Sequence, residues 1–525
     1  MESHTNYMGA PSYCLSSALT TLEVVAASCF FGEPLYYGPS RKASGGGFQT
    51  DLKESRNTVR KSLGNPVFVP TKGSDEELVR IIREALTEDP EGTLQLAVRL
   101  RHIHHIRKTP QIILVEAAHH PAVRGTHLIR TYAPHIIARA DDPGVQKEYL
   151  DAAYKKGRYP NSLKRAWASA VTRMSDYEIA KYKNSGHLID IVNVCNPKPT
   201  DGINRLMQGK IALTEEDTWE ALISKKGASK ETWMEAIPIM GHMALLRNLR
   251  NFLNHSVPPE AFLPKLIATA AGGKQLPFRY YSAYQAISGL DNANVSVVKE
   301  ALSECLKESL GLVPRFSGNV MSLCDNSGSA QSATTSSLGT VRVNEIANLS
   351  ALITALASDN GQVGVFGDTL NVVTPDATDP FFENLNKINR LGGSVGASTK
   401  NGIWLFWDRA ISKREHWDHV FVYSDMQAGH GGLYGKNPAN YRNYMWRGTQ
   451  YIDVPKLIKV YRETVNPSVN VYLVQVAGYS DTIIPDVYPR TFILGGWGEG
   501  ILKYADQMAR IFDGIEGKNA GAHSS

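Results

Sequence analysis

From Ser74 onward the apolar side chains recur every three or four positions: Leu78, Ile81, Ile82, Ala85 and Leu86 fall on one face of a helix. Ser74-Asp75-Glu76-Glu77 opens that helix as a capping box, and Asp89-Pro90 closes it, because a residue ahead of proline avoids helical backbone. The same pattern predicts helices over 214–223, 229–239 and 243–254, separated by proline-bearing breaks such as Asn196-Pro197-Lys198-Pro199 and Ser256-Val257-Pro258-Pro259. No convincing strand interrupts residues 1–312. Short connections between amphipathic helices predict an all-α stack of helix pairs, although no fixed sequence period marks the repeats.

The pattern changes at Val313. Apolar, β-branched runs at 319–324, 362–366, 419–424 and 470–476 alternate with helical segments at 330–357, 381–391, 454–465 and 499–512. Such alternation predicts a parallel sheet with helices on both faces, whose ligands sit at the carboxyl ends of the strands. The expected organisation is therefore multidomain: an all-α unit over 1–312 followed by an α/β unit over 313–525.

Composition narrows the classes. The 525 residues are 42% hydrophobic and 20% charged, too apolar for a disordered chain. No apolar run reaches the ~18 residues of a membrane span, and the first residues carry no secretory pattern. Five scattered cysteines without a C-x-x-C pair argue against a disulfide framework and for a reducing, cytoplasmic setting. The net charge of +5 is regional: residues 101–190 hold 15 Lys and Arg against 8 Asp and Glu, which favours a polyanionic partner. Within that window the run Arg101 to Lys108, rich in histidine, reads as basic surface rather than a metal site, since no further ligands stand at zinc spacing.

One strand run feeds directly into Asp325-Asn326-Ser327-Gly328-Ser329, a D-x-S-x-S turn that gathers a carboxylate and two hydroxyls. Hard oxygens of this kind suit Mg²⁺ or Mn²⁺. Thr399, ahead of Asn401-Gly402-Ile403, offers a third hydroxyl, and Asp425 a second carboxylate after Val422-Tyr423-Ser424. With these residues the second unit resembles a von Willebrand factor A domain (a Rossmann-like fold) carrying a metal-ion-dependent adhesion site. The resemblance implies that Asp325, Ser327, Ser329, Thr399 and Asp425 hold the ion directly or through water, with one position left for a partner's acidic group. Gly392-Gly393-Ser394 also resembles the family's Gly-Gly-Thr. Thr399 is preferred to Ser394 as the third hydroxyl because the residues after it continue as the family's helix does. Two carboxylates are too few for the dense cluster of a metal hydrolase, so the site reads as one for binding and the chain as no enzyme.

The helix containing Ala244-Leu245-Leu246-Arg247-Asn248-Leu249-Arg250 has an apolar stripe through Leu245, Leu249 and Phe252, with Arg and Asn on its other faces. Preceded by Ile237-Pro238-Ile239-Met240, it resembles the signature of the TROVE module of Ro autoantigen proteins. Tyr159-Pro160-Asn161-Ser162-Leu163-Lys164-Arg165-Ala166 and Leu276-Pro277-Phe278-Arg279-Tyr280-Tyr281 are similar to it too. The early Gly9-Ala10-Pro11 and Phe31-Gly32-Glu33-Pro34 resemble its bacterial branch. The resemblance implies a monomeric ring of HEAT-like helical repeats closed by the A-type domain. It also implies a ribonucleoprotein scaffold in RNA quality control that binds small noncoding Y-type RNAs and the single-stranded 3′ ends of misfolded RNAs. An exoribonuclease such as polynucleotide phosphorylase would be a partner. The family's basic RNA-contacting helix aligns with Lys181 and Lys183. Its next arginine falls at Asn184-Ser185-Gly186 and its later histidine near Asn196, so His187 is a substitute candidate. Lys164, Arg165, Arg247 and Arg250 follow on charge and motif. The rival expectation is a protein-interaction scaffold gripping an acidic partner through the metal, with RNA incidental.

Overall fold

Several helices begin where a side chain supplies an acceptor for their first N–H groups. The computed structural model describes residues 2–5, 11–14, 17–27, 74–104, 106–154, 157–184, 187–214, 216–275, 277–332, 342–396, 402–424, 431–432, 451–452, 454–476, 490–495 and parts of 501–513. Asp89 accepts from the Gly92 N–H at 2.8 Å and starts the helix Pro90–His102. Ser175 and Glu178 form a reciprocal capping box at the head of Asp176–Tyr182. Two expected boundaries move for the same reason. Thr214 is taken up by Asp217, whose carboxylate accepts from both its N–H and its hydroxyl at 2.7 Å, so the next helix is Trp219–Lys226, capped by Thr218. The helix expected over 229–239 is Lys230–Ala236 continued by a 3₁₀ turn, Ile237–Ile239, where Pro238 removes a donor.

Along the first part of the stack, helices pack on next or next-but-one neighbours. Pro90–His102 meets Lys108–His119 and Leu128–Ile136, and Lys108–His119 meets Asp142–Ala153. Leu128–Ile136 meets Asn161–Thr172, which meets Leu188–Cys195. This is the geometry of a helical stack, in which every element buries its apolar stripe against adjacent ones. One correction applies before the stack: an antiparallel pair, β1 (Glu2–Thr5) with β2 (Pro11–Cys14), lies in the part expected to hold no strand.

The last turn of the helical region is Leu310–Leu312, and the main sheet opens at Phe316. Its strands are β3 (Phe316–Asp325), β4 (Ser358–Phe366), β5 (Leu370–Val373), β6 (His419–Ser424), then β9 (Asn470–Gln475) and β10 (Thr491–Gly495). A minor pair, β7 (Gly431–Gly432) with β8 (Tyr451–Ile452), stands apart from it. The order is β10-β9-β6-β3-β4-β5, parallel except for β5, which returns antiparallel at the edge after a short turn. The sheet is thus mixed where the sequence suggested all-parallel, and β5 and β10 are additions to the four expected strands.

Alternation along each central strand divides the core. Met321, Leu323, Val420, Val422, Val471 and Leu473 face a cluster with Trp404, Trp407 and Tyr461, which the helices Gly402–Ser412 and Val454–Thr464 seal. Val320, Cys324, Phe421, Tyr423, Tyr472 and Val474 face the other way, into a cluster continuous with the core of the helical stack. Polar ties run along that junction: Phe381 N–H donates to Ser303 Oγ at 2.6 Å, Lys307 donates to the Ala377 and Thr378 carbonyls at 3.1 Å, and the Tyr284 ring stacks on Phe382 at 3.9 Å. Lys503, far along the chain, donates to the Ile103 carbonyl at 3.1 Å, so the last part of the chain returns to an early helix of the stack.

Candidate metal centre and nucleic-acid interface

The carboxyl edge of the sheet is built around Asp325, the last residue of β3 and fully buried. Register sets Cys324 opposite Tyr423, so Ser424 at the end of β6 stands beside Asp325. The Ser424 hydroxyl donates to Asp325 Oδ2 at 2.6 Å, and the Ser327 N–H donates to Oδ1 at 2.9 Å. Both carboxylate oxygens are thereby aimed before any ligand is considered. The Ser327 and Ser329 hydroxyl oxygens lie 3.2 Å apart on the turn into the helix Gly328–Ser332. Among the described residues one carboxylate and three hydroxyls therefore share this edge, a hard-oxygen set that fits Mg²⁺ or Mn²⁺ and not a soft metal. Among the described residues no three His, Cys, Asp or Glu side chains gather into a metal-holding group, at this edge or elsewhere.

A layer of amides supports the turn. Asn326, also fully buried, donates to Asn348 Oδ1 at 2.7 Å, and Asn348 donates to Asn389 Oδ1 at 2.8 Å. Gln331 donates to the Asn326 carbonyl at 2.6 Å. Gly392 lies so close that a Cβ there would overlap Asn326 Oδ1. Gly392 thus serves packing behind the turn, while the Ser394 hydroxyl donates to the Leu391 carbonyl at 2.8 Å. Thr399 and Asp425 lie outside the described residues. Ser424 and the asparagine layer escaped the sequence reading. Ser424 was legible only once the β3–β6 register was known, and lone asparagines carry no motif.

The helical stack carries its charge differently. Lys164 and Arg165 sit on Asn161–Thr172, half-buried and exposed respectively, and Arg247 and Arg250 are exposed one turn apart on His242–Asn254. Among the described residues none of these four meets a carboxylate at ion-pair distance. Asn248, between the two arginines, is buried and donates to the Ala244 carbonyl at 2.9 Å, so it serves the helix and not the surface. Lys181 is exposed, with its ammonium 3.0 Å from the Tyr177 hydroxyl and over that ring. Lys183 is half-buried and donates to the Ile211 carbonyl at 2.8 Å, which makes it a tie between segments as well as a charge. His187, in left-handed backbone at φ 50°, lies 2.9 Å from Glu148.

The run from Arg101 to Lys108 is only in part the basic surface expected of it, with His102 exposed and Arg107 and Lys108 half-buried. Arg101 is buried and pairs with buried Asp142 at 3.3 Å. Asp142 also accepts from the Ala138 and Arg139 N–H groups, yet burial pushes its carboxyl up to about 6. His104 is buried, His102 meets the His135 carbonyl at 2.7 Å, and His105 lies outside the described residues. The thiols are equally structural: burial raises Cys195 to about 11 and Cys305 to about 12.

Residues 204–312 match the family model of the TROVE domain. No curated protein shows significant sequence similarity to the chain. Among solved structures, the Ro (RSR) protein of Deinococcus radiodurans is similar with a TM-score of 0.61 at 14% identity, a likeness covering 93% of this chain and 100% of that one. No helix among the described residues is long and apolar enough to cross a membrane. A helical stack continuous with an α/β sheet and the likeness over nearly the whole chain agree: the chain has the fold of a Ro protein, and residues 204–312 of its stack match the TROVE domain.

Proposed function

We propose that the chain is an RNA-binding scaffold of the Ro type, with a divalent-cation site on its A-type domain. The observation that carries this reading is the set of cations on the helical stack, Lys164, Arg165, Arg247 and Arg250, that meet no carboxylate among the described residues, within a Ro-type fold. Cations without carboxylate partners are free to neutralise phosphates and release their counterions, which gives sequence-tolerant, salt-sensitive affinity. Lys181 joins this set. Lys183 contributes charge while holding Ile211, and His187 ranks last because a phosphate must displace Glu148. The RNAs are small noncoding Y-type RNAs and single-stranded 3′ ends of misfolded RNAs, with an exoribonuclease such as polynucleotide phosphorylase as a protein partner. Asp325, Ser327 and Ser329 hold Mg²⁺ or Mn²⁺, completed by Thr399 and Asp425. The ion supplies a positive point for a partner's carboxylate, and no chemistry on RNA is assigned to it.

The test is binding of a structured RNA with a free 3′ tail to the full chain at 50 and 200 mM salt. Engagement of six or more phosphates would lower affinity by about 10³-fold over that interval, and Lys181→Glu would lower it further at each salt. Absent binding, or affinity indifferent to salt, would overturn the reading.

A further inference from the structure

A cleft of about 740 Å³ opens between the turn after the helix Lys108–His119 and the start of the helix Asn161–Thr172. Among the described residues three Lys or Arg side chains line it, Arg124, Arg158 and Lys164, and no carboxylate does. Among the described residues none of the three has an ion-pair partner. They come from three separate segments: the 121–127 turn, the link after Asp142–Ala153, and the first turns of Asn161–Thr172. Gly157, at φ +81°, makes the turn that brings Arg158 to the rim and leaves open space where a side chain would stand.

The other walls are aromatic and fixed. Tyr154 lies parallel to His119 at 3.9 Å and donates its hydroxyl to buried Glu116 at 2.9 Å. That carboxylate is itself held by Arg83 at 2.7 Å and Tyr149 at 2.6 Å, so its charge is spent behind the wall. Tyr159 donates to Asp151 at 2.7 Å and its ring packs on Trp167. Rigid rings of this kind offer stacking surface at little cost in ordering. The helix Asn161–Thr172 begins after Pro160 with no side chain capping it, and its first residues line the cleft, which adds N–H donors to the three cations.

Cations, uncapped donors and aromatic rings together select a ligand that has both an anionic group and a flat ring. The volume exceeds what a bare phosphate fills and lies in the range of small-molecule sites. We infer that this cleft binds a nucleoside phosphate, with the phosphate between Arg124, Arg158 and Lys164 and the base against Tyr154 or Tyr159. The inference deepens the proposed RNA reading and rests on it for one source of the ligand, a nucleotide within an RNA strand. The other source is a free nucleotide.

Titration calorimetry on the full chain separates the outcomes, with adenosine 5′-monophosphate, inorganic phosphate and a single-stranded RNA dodecamer as probes. The variants are Arg124→Ala with Arg158→Ala, and Lys164→Gln alone, each checked for unchanged circular dichroism. The expected result is that the monophosphate binds at least tenfold more tightly than inorganic phosphate, and at least tenfold more weakly to the double variant. Lys164→Gln is expected to lose several-fold. A parallel loss for the dodecamer, with displacement by the monophosphate, supports the RNA strand as the source; nucleotide binding lost in the variant while dodecamer affinity stays unchanged supports a free nucleotide. A dodecamer held tightly by both wild type and double variant, with no monophosphate binding, overturns the cleft and leaves the RNA reading standing. Monophosphate binding without dodecamer binding overturns the RNA reading and leaves the cleft.

Discussion

The carboxyl edge of the sheet and the surface of the helical stack both present charge, but by opposite means. At the sheet edge one fully buried carboxylate is fixed by a backbone N–H and a hydroxyl, with a layer of asparagines behind it. On the stack, Lys164, Arg165, Arg247 and Arg250 stand at half-buried or exposed positions and meet no carboxylate among the described residues. The first arrangement commits its geometry before a ligand arrives, which suits a small ion with strict coordination. The second commits only its charge, which suits a long polyanion met at many points. Changes at the first should therefore be felt in folding, and changes at the second in binding.

The largest effect expected on stability is at the sheet edge. Asp325→Ala removes the acceptor of the Ser327 N–H and the Ser424 hydroxyl in a fully buried place. Leaving such donors unsatisfied costs about 3 kcal/mol, read as a shift in urea unfolding. A rise in melting temperature with millimolar Mg²⁺ is expected of the wild type and not of the variant. A variant as stable as the wild type would mean that the edge is loosely held, and the contrast with the stack would fail.

A smaller effect comes from the one place where the stack behaves like the sheet edge, the buried Arg101–Asp142 pair. The Asp142 carboxyl, at 3.8 in its ordinary state, stands at about 6 in the folded chain because burial disfavours its charge more than Arg101 and two N–H groups favour it. The folded state then binds the proton more readily than the unfolded one. This group's contribution is complete below 3.8 and is lost as pH rises through 6. Lowering pH from 7 to 5 should stabilise the wild type by about 1 kcal/mol more than Asp142→Asn, measured by urea unfolding at both pH values. The opposite sign would show that the pairing, and not the burial, governs this carboxyl.

How much of this was legible depends on whether the signal was local. Helical and strand periods and the turn Asp325 to Ser329 are patterns within a few residues, and the structure carries most of them as elements, the expected helix over 330–357 being described as Gly328–Ser332 and Val343–Leu356 with 333–341 outside the described residues. Strand β5 was missed because at Leu370–Val373 it is a four-residue edge strand with every residue half-buried, so it lacks the apolar run of a central strand. The strands Glu2–Thr5 and Pro11–Cys14 are four residues each and rich in polar side chains. Thr214 and Thr218 are equally good caps by type, and the choice fell to Asp217. Arg101 read as surface because its partner, Asp142, is 41 residues away. The cleft was invisible for the same reason: Arg124, Arg158 and Lys164 belong to three segments that only packing brings together.

The smallest effect on stability belongs to the helix whose residues resemble the TROVE signature, and it separates the two meanings such a signature can have. Within His242–Asn254, Leu245, Leu249 and Phe252 are buried while Arg247 and Arg250 are exposed on the opposite side. If the motif matters for folding alone, its arginines are incidental; if it matters for RNA, they are its working part. Arg247→Ala with Arg250→Ala should change stability by less than about 0.5 kcal/mol, as surface substitutions do. The same pair should flatten the slope of log affinity for single-stranded RNA against log salt by about 1.4, the loss of two phosphate contacts. Leu249→Ala, which opens a cavity in the core, should cost about 3 kcal/mol and leave that slope unchanged in the fraction that folds. An unaltered slope in the arginine pair would move the RNA contacts off this helix, toward Lys164 and Lys181, and leave the signature to the core.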